Sequence, residues 1–172
     1  KKLRLAQRIY ETPLELTQGD LMSRDDYECH RRELLQLATS HRRLRRLRLG
    51  DDLSLLFETR FTAWVQLQEE LRWLAHPTQV NIEEVLTRCN LLVAKRGELI
   101  ATVFVDSSDR AASRQWAQSI ANKNFSIALR LAGTVMRGQP EHHSTETLST
   151  VHTFIFRSKA SCGPVSEIVW GD

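Results

Sequence analysis

"FETRFTAWVQLQEELRWLAH", from Phe57 to His76, carries an apolar and a polar pattern at once. Trp64, Leu67, Leu71 and Leu74 recur at helical spacing and form a core seam, and Pro77 ends the segment. Glu58, Thr62, Gln66 and Glu69 follow one another at spacings of 4, 4 and 3, with Arg72 a turn further on. Carboxylates about one turn apart can do acid–base work or hold a metal. No histidine at matching spacing completes a Glu-x-x-His iron motif, and Arg60 and Arg72 can neutralise the acids as ion pairs. The row therefore reads first as a polar network or docking face, next as a partner contact, and last as a catalytic site.

On the N-terminal side, "LSLLF" (Leu53 to Phe57) is short, apolar and bounded by acids, which predicts a strand. Before it, Ser23 is placed to cap a long helix with Asp25 and Asp26 in its first turn. Tyr27, His30, Leu34, Leu37, His41 and Leu44 predict one face of that helix, with Gly50 as its stop. Its last turns carry "HRRLRRLRL", so that Arg42, Arg43, Arg45, Arg46 and Arg48 face outward while Leu44 and Leu47 face in. The negative end of a helix dipole accounts for one or two of these cations, not five. Such a block attracts an acidic protein or peptide, and nucleic acid less well, because no stacking platform, zinc finger or helix-turn-helix accompanies it.

On the C-terminal side, Asn81 is expected to cap a short helix through "IEEVLTRCNLL", and "ELIATVFV" (Glu98 to Val105) reads as a strand. Ser108 is expected to cap the helix "DRAASRQWAQSIANK". Four strand-like pieces follow: "FSIALRLA", "TVMRG", "TVHTFIF" and "SEIVW", with "GQPEHHSTETLS" as a mobile loop. Helices first and a mainly antiparallel sheet after them predict an α+β domain over residues 17–172, with a central long basic helix and residues 1–16 as a loosely attached arm. An edge strand of such a sheet can accept an added peptide strand.

The 172 residues, 41% hydrophobic and 26% charged, fit a globular chain with a sizeable core and a formal charge of +3. No apolar run approaches the roughly 20 residues of a membrane-spanning helix, and the basic N-terminus lacks a signal-peptide core, so a cytoplasmic protein is expected. Cys29, Cys89 and Cys162 are far apart and odd in number, which suits reduced thiols better than a zinc site or a disulfide framework.

The run from Gly50 to Arg72 fits the pattern "GxxLxLxFExRxTxxxQxQExLR". With "LTQGDL" (Leu16 to Leu21), the strand Glu98 to Asp106 and "VHTFIF" (Val151 to Phe156), it resembles a bacterial family known as domain of unknown function thirty-five hundred and one. The chain departs from the pattern at Cys89-Asn90-Leu91, where a Tyr-Asn-Pro turn is usual, and after Phe156, where a histidine-bearing tail is usual. The resemblance carries no activity. Members are often encoded near rubrerythrin-like and iron–sulfur proteins, which implies an iron or redox setting.

The remaining chemistry-bearing residues assemble no catalytic set. His30 and His41 fall on the apolar face of the long helix, Glu141 to His143 sit in a polar loop without a further ligand, and His152 lies on a strand. There is no Gly-x-Ser-x-Gly elbow and no Gly-rich phosphate loop, and Cys29 and His30 point about 100° apart on a helix. No catalytic residue, metal ligand or cofactor is assigned to this chain. The leading expectation is a non-catalytic partner subunit that docks on a bacterial iron-dependent modifying enzyme and helps recognise a peptide or protein substrate, as in ribosomal-peptide maturation. In that reading the iron belongs to the partner. The alternatives are a metal- or redox-linked enzyme using Glu58 and Glu69, and a small nucleic-acid binder.

Overall fold

The computed structural model describes residues 9, 15–131, 134–141, 149–158 and 165–171. The chain forms two compact units, interleaved in sequence. One comprises Lys1–Arg45 and Glu58–Arg96, the other Arg46–Phe57 and Gly97–Asp172.

The first unit is helical. A 3-10 turn, Gln18–Asp20, leads to helix α1, Arg24–Arg43, where Ser23 accepts the Asp26 N–H as the N-cap. Helix α2 is Arg60–Trp73 and helix α3 is Gln79–Asn90. Phe57 ends a strand and Thr59 caps α2, so the helix is shorter than Phe57 to His76 at both ends. Thr78, not Asn81, caps α3; Asn81 is the third helical residue and closes a reciprocal capping box. Helix α2 is the centre of this unit. Phe61 to Val65 are buried in succession, followed by Leu67 and Gln68, so its first turn is covered on every side and Gln66 is the exposed position between them. Its core partners are Leu16, Ala38, Val85, Leu86, Cys89 and Val93.

The long helix stops sooner than Gly50. It ends at Arg43, and Arg46–Leu49 is strand β1, paired antiparallel with β2, Leu53–Phe57, in the register Leu49 to Leu53. Gly50 has φ +66° and makes the turn between them. Leu44 and Leu47 do not face inward: they are 86% and 44% exposed. The inward face of α1 is Tyr27, Leu34, Leu35, Ala38 and His41, the last meeting the Phe61 ring edge-on.

The second unit is a seven-stranded sheet in which every pairing is antiparallel, completed by β3 (Glu98–Val105), β4 (Ser126–Leu131), β5 (Thr134–Pro140), β6 (Val151–Arg157) and β7 (Val165–Gly171). The order is β1-β2-β3-β6-β5-β4-β7, so the sheet does not simply follow the helices: its first two strands precede α2 in the chain. Helix α4, Arg110–Ala121, is capped by Asp109 rather than Ser108 and packs on β3. Strand β5 pairs with β4 up to Arg137 and with β6 from Gly138, and the segment Gly138 to Pro140 is strand rather than loop. This bend, and the approach of Trp170 on β7 to Gly50, make the sheet nearly barrel-shaped. Leu53, Leu55, Val103, Ile127, Leu129, Phe154 and Phe156 fill its interior. No helix among the described residues is long and apolar enough to cross a membrane.

Candidate functional site

The polar row of α2 divides into separate structural contacts. Glu58 lies ahead of the helix and accepts the Thr62 hydroxyl at 2.9 Å, and Thr62 is itself buried. Gln66 is exposed and donates to Glu70 at 3.0 Å. Glu69 accepts both the Tyr27 hydroxyl (2.9 Å) and the Arg31 guanidinium, whose Nε and Nη2 each reach one carboxylate oxygen at 2.8 Å. Arg31 first, and Tyr27 with it, hold the Glu69 carboxyl below its usual range against the opposing effect of burial. Burial and then the Glu69 carboxylate push the Tyr27 hydroxyl far up. Arg72 donates to Glu28. The arrangement clamps α1 to α2.

Arg60 leaves the row altogether. Its Nη2 donates to Asp20 Oδ2 at 2.9 Å, with side-chain exposures of 8% and 6%. The same carboxylate oxygen accepts the Thr17 backbone N–H at 2.9 Å and its hydroxyl at 3.0 Å. Burial raises the Asp20 carboxyl, but the Thr17 donors and Arg60 outweigh it and hold it below its ordinary value. Trp64 Nε1 donates to the Asp20 carbonyl at 2.8 Å. Asn90 receives the Leu16 N–H at 2.7 Å and donates to the Leu16 carbonyl at 3.0 Å. The "LTQGDL" turn is thus tied to α2 by Arg60 and to α3 by Asn90. Ile9 and Leu16, the described residues of the expected arm besides Glu15, are buried.

The five arginines of the basic block fall on both sides of the boundary between the units. Arg42 and Arg43 end α1, Arg45 follows in the turn, and Arg46 and Arg48 lie on β1. Arg46 is engaged: it donates to Ser54 Oγ at 2.7 Å, pairs with Asp106 at 3.0 Å, and lies 4.6 Å over the Phe104 ring. Arg48 donates to the Asp51 carbonyl. Among the described residues, Arg42, Arg43, Arg45 and Arg48 form no ion pair. Strand β1 stands at the end of the strand order, pairs among the described residues with β2 alone, and exposes Arg46, Leu47 and Arg48. The second unit also has a cleft of about 370 Å³ with Lys123, Arg130 and Arg137 around the apolar Phe125, Ile127 and Phe154.

The described residues contain no group of three His, Cys, Asp or Glu placed to hold a metal. His142, His143 and Cys162 lie outside the described residues. His152 is partly buried and meets the Ser149 carbonyl; burial lowers its pKa. Cys29 is exposed, whereas burial pushes the Cys89 thiol up to about 12. Sequence reasoning missed Tyr27 and Arg31 as partners of Glu69, the hydrogen bond that the Ser54 hydroxyl donates to Asp106 Oδ2, the burial of Gln68 and the cationic cleft. Most depend on residues distant in sequence, whereas the helical spacing of Tyr27, Leu34 and His41 did signal the inward side of α1.

A two-unit α+β chain of this kind, with a helical unit and a nearly barrel-shaped antiparallel sheet, defines a fold class but no reaction. The chain belongs to the DUF3501 family of proteins of unknown function, whose model matches residues 15–162. It is similar to a protein of unknown function from Burkholderia pseudomallei, whose crystal structure superposes with a TM-score of 0.74 at 22% identity. That match covers 84% of this chain and 77% of the other, and it shows the fold. No curated protein matches the chain.

Proposed function

We propose that this chain is a non-catalytic partner subunit that docks on a bacterial iron-dependent modifying enzyme and takes hold of an acidic peptide or protein segment. The observation that carries the reading is the strand β1, which among the described residues is exposed, pairs with β2 alone, and is set in a basic segment with four arginines that lack an acidic partner. Unpaired backbone groups along such an edge receive an extended chain through main-chain hydrogen bonds, and the arginines select acidic sequence over basic. The Lys123, Arg130 and Arg137 cleft offers a further place for acidic side chains in the same unit.

The reading of Glu58 and Glu69 as an enzyme's working acids has less to draw on. Glu58 is satisfied by Thr62, and both oxygens of Glu69 are taken by Arg31. The iron-dependent partner and the maturation of ribosomally made peptides belong to the proposal through the family's setting, not through any residue of this chain.

The test is affinity capture from native lysate at moderate salt, with partner identity and bound metal determined on one eluate. A stoichiometric iron protein retained by the wild-type chain, and lost from an Arg43→Glu, Arg45→Glu, Arg48→Glu variant of unchanged circular dichroism, supports the proposal. Retention of that partner by the triple variant contradicts the basic segment's role. A lone chain carrying stoichiometric metal of its own contradicts the subunit reading. Nucleic acid recovered with steep salt dependence would support the third alternative instead.

A further inference from the structure

The cleft of about 370 Å³ in the second unit lies on the sheet itself, where β5 leaves β4 for β6. Strand register explains its shape. Ala128 on β4 stands opposite Arg137 on β5 and Val169 on β7, so the three share one face, and the small central residue leaves a depression between two larger ones. Arg130, two residues on, brings Val135 to the same face. Val135 and Val169 are about half exposed, whereas Phe125, Ile127 and Phe154 are buried and form the floor.

The charge of this cleft is one-sided. Lys123, Arg130 and Arg137 line it, and among the described residues no acid does. Arg130 is paired with Glu167 at 2.7 Å in an exposed position, where solvent screens both charges. Lys123 and Arg137 form no ion pair among the described residues. Lys123 follows the cap of α4 with φ +61°; its N–H donates to the Ile120 carbonyl at 3.1 Å, and that of Asn124 to the Ser119 carbonyl at 2.9 Å. Helices closed in this way ordinarily carry glycine there, because a side chain strains the left-handed backbone. Here the strained position supplies a cation to an apolar cleft.

We infer that this cleft selects, within the acidic segment that the chain receives, a large apolar side chain flanked by acids. The apolar group lies against Val135 and Val169, and the carboxylates turn toward Lys123 and Arg137. The inference rests on the reading of the chain as a receiver of acidic peptide, and it names what that peptide must carry. Apolar surface takes up the apolar group, and unpaired cations beside it favour carboxylates over cations. The volume is more than twice the roughly 150 Å³ of an engineered cavity that takes up benzene, so an aromatic ring fits together with the backbone beside it. With Val135 and Val169 half exposed, the cleft is open enough for a chain to enter and leave.

The experiment is calorimetric titration of the full chain with acetyl-Gly-Glu-Phe-Glu-Gly-amide. Two control peptides carry lysine in place of both acids, or alanine in place of the aromatic residue. The acidic aromatic peptide is expected to bind at least about tenfold more tightly than either control. Arg137→Glu should lose at least about tenfold in affinity for it and gain affinity for the lysine peptide. Lys123→Gly should lose about threefold or more and yet melt no lower than wild type, because glycine suits the left-handed backbone. A lysine kept for the fold alone would leave the affinity unchanged. No binding of the acidic peptide at about 10 mM overturns the inference. So does either control peptide binding as tightly, or either variant binding like wild type. Free 3-phenylpropanoate binding as tightly as the peptide overturns the peptide assignment in favour of a small acid. The titration needs no partner enzyme, so a lysate capture that finds none contradicts the subunit reading alone, and absent peptide binding contradicts the cleft inference alone.

Discussion

Arg60 and Asp20, separated by 40 residues, form a nearly water-free ion pair at 2.9 Å that fastens the start of the described chain to the central helix of the first unit. Both charges are compensated: Asp20 takes two bonds from Thr17 on the same carboxylate oxygen, and Arg60 also reaches the Ile9 carbonyl. Removing one partner strands the other. Asp20→Ala and Arg60→Ala are each expected to cost about 3–5 kcal/mol, and the double variant less than the sum. Urea denaturation of the three chains measures both quantities.

The Tyr27–Glu69–Arg31 clamp makes a prediction about acid. The folded pKa values of Glu69 and Asp20 lie below their ordinary values of 4.5 and 3.8. The unfolded chain therefore binds more protons in that window, so their contribution is complete above the ordinary values and is lost as pH falls through the folded ones. Glu69→Gln should flatten the decline in stability below about pH 4.5, while Tyr27→Phe should lower stability by about 2 kcal/mol at neutral pH. Thermal melts at a series of pH values distinguish the two effects.

Much of the architecture could be read along the chain because it rests on local pattern. Leu53 to Phe57, Glu98 to Val105 and the Ser23 cap stand where composition and capping chemistry put them. The end of α1 could not be read this way. Leu44 and Leu47 are three apart, as on a helix, yet Arg46-Leu47-Arg48-Leu49 also alternates as a strand does. Pairing of Leu49 with Leu53 decides between them, and that is a contact across a turn, not a period. The polar row failed for a related reason. Thr59 takes the capping position, so Glu58 falls outside the helix, and the true partners of Arg60 and Glu69 lie 40 and 38 residues away. Gln68, between Leu67 and Glu69, carries no sequence signal that it would be buried.

Strand β5 depends on the missing side chain at Gly138. A Cβ there would lie 2.8 Å from Ile127 Cγ2 and 2.9 Å from Phe156 Cε1, at the point where β5 exchanges β4 for β6. Gly138→Ala is expected to destabilise the chain by about 1–3 kcal/mol. A chemical denaturation series of the variant beside wild type measures the loss.

The two described cysteines should differ sharply toward a thiol reagent. Cys29 is exposed on α1, whereas Cys89 is buried in the helical core with its thiolate disfavoured. Maleimide labelling resolved by peptide mass should modify Cys29 in the native chain and Cys89 only under denaturing conditions. Native labelling of Cys89 would show that the core around α3 opens readily.

If β1 is where a partner's chain is received, backbone amide hydrogen exchange on the purified complex reports it at the strand itself. Binding is predicted to slow exchange across Arg46–Leu49 while β3, paired on both sides, changes little. Equal exchange across Arg46–Leu49 in the free and bound chain, with protection appearing elsewhere, would contradict the account.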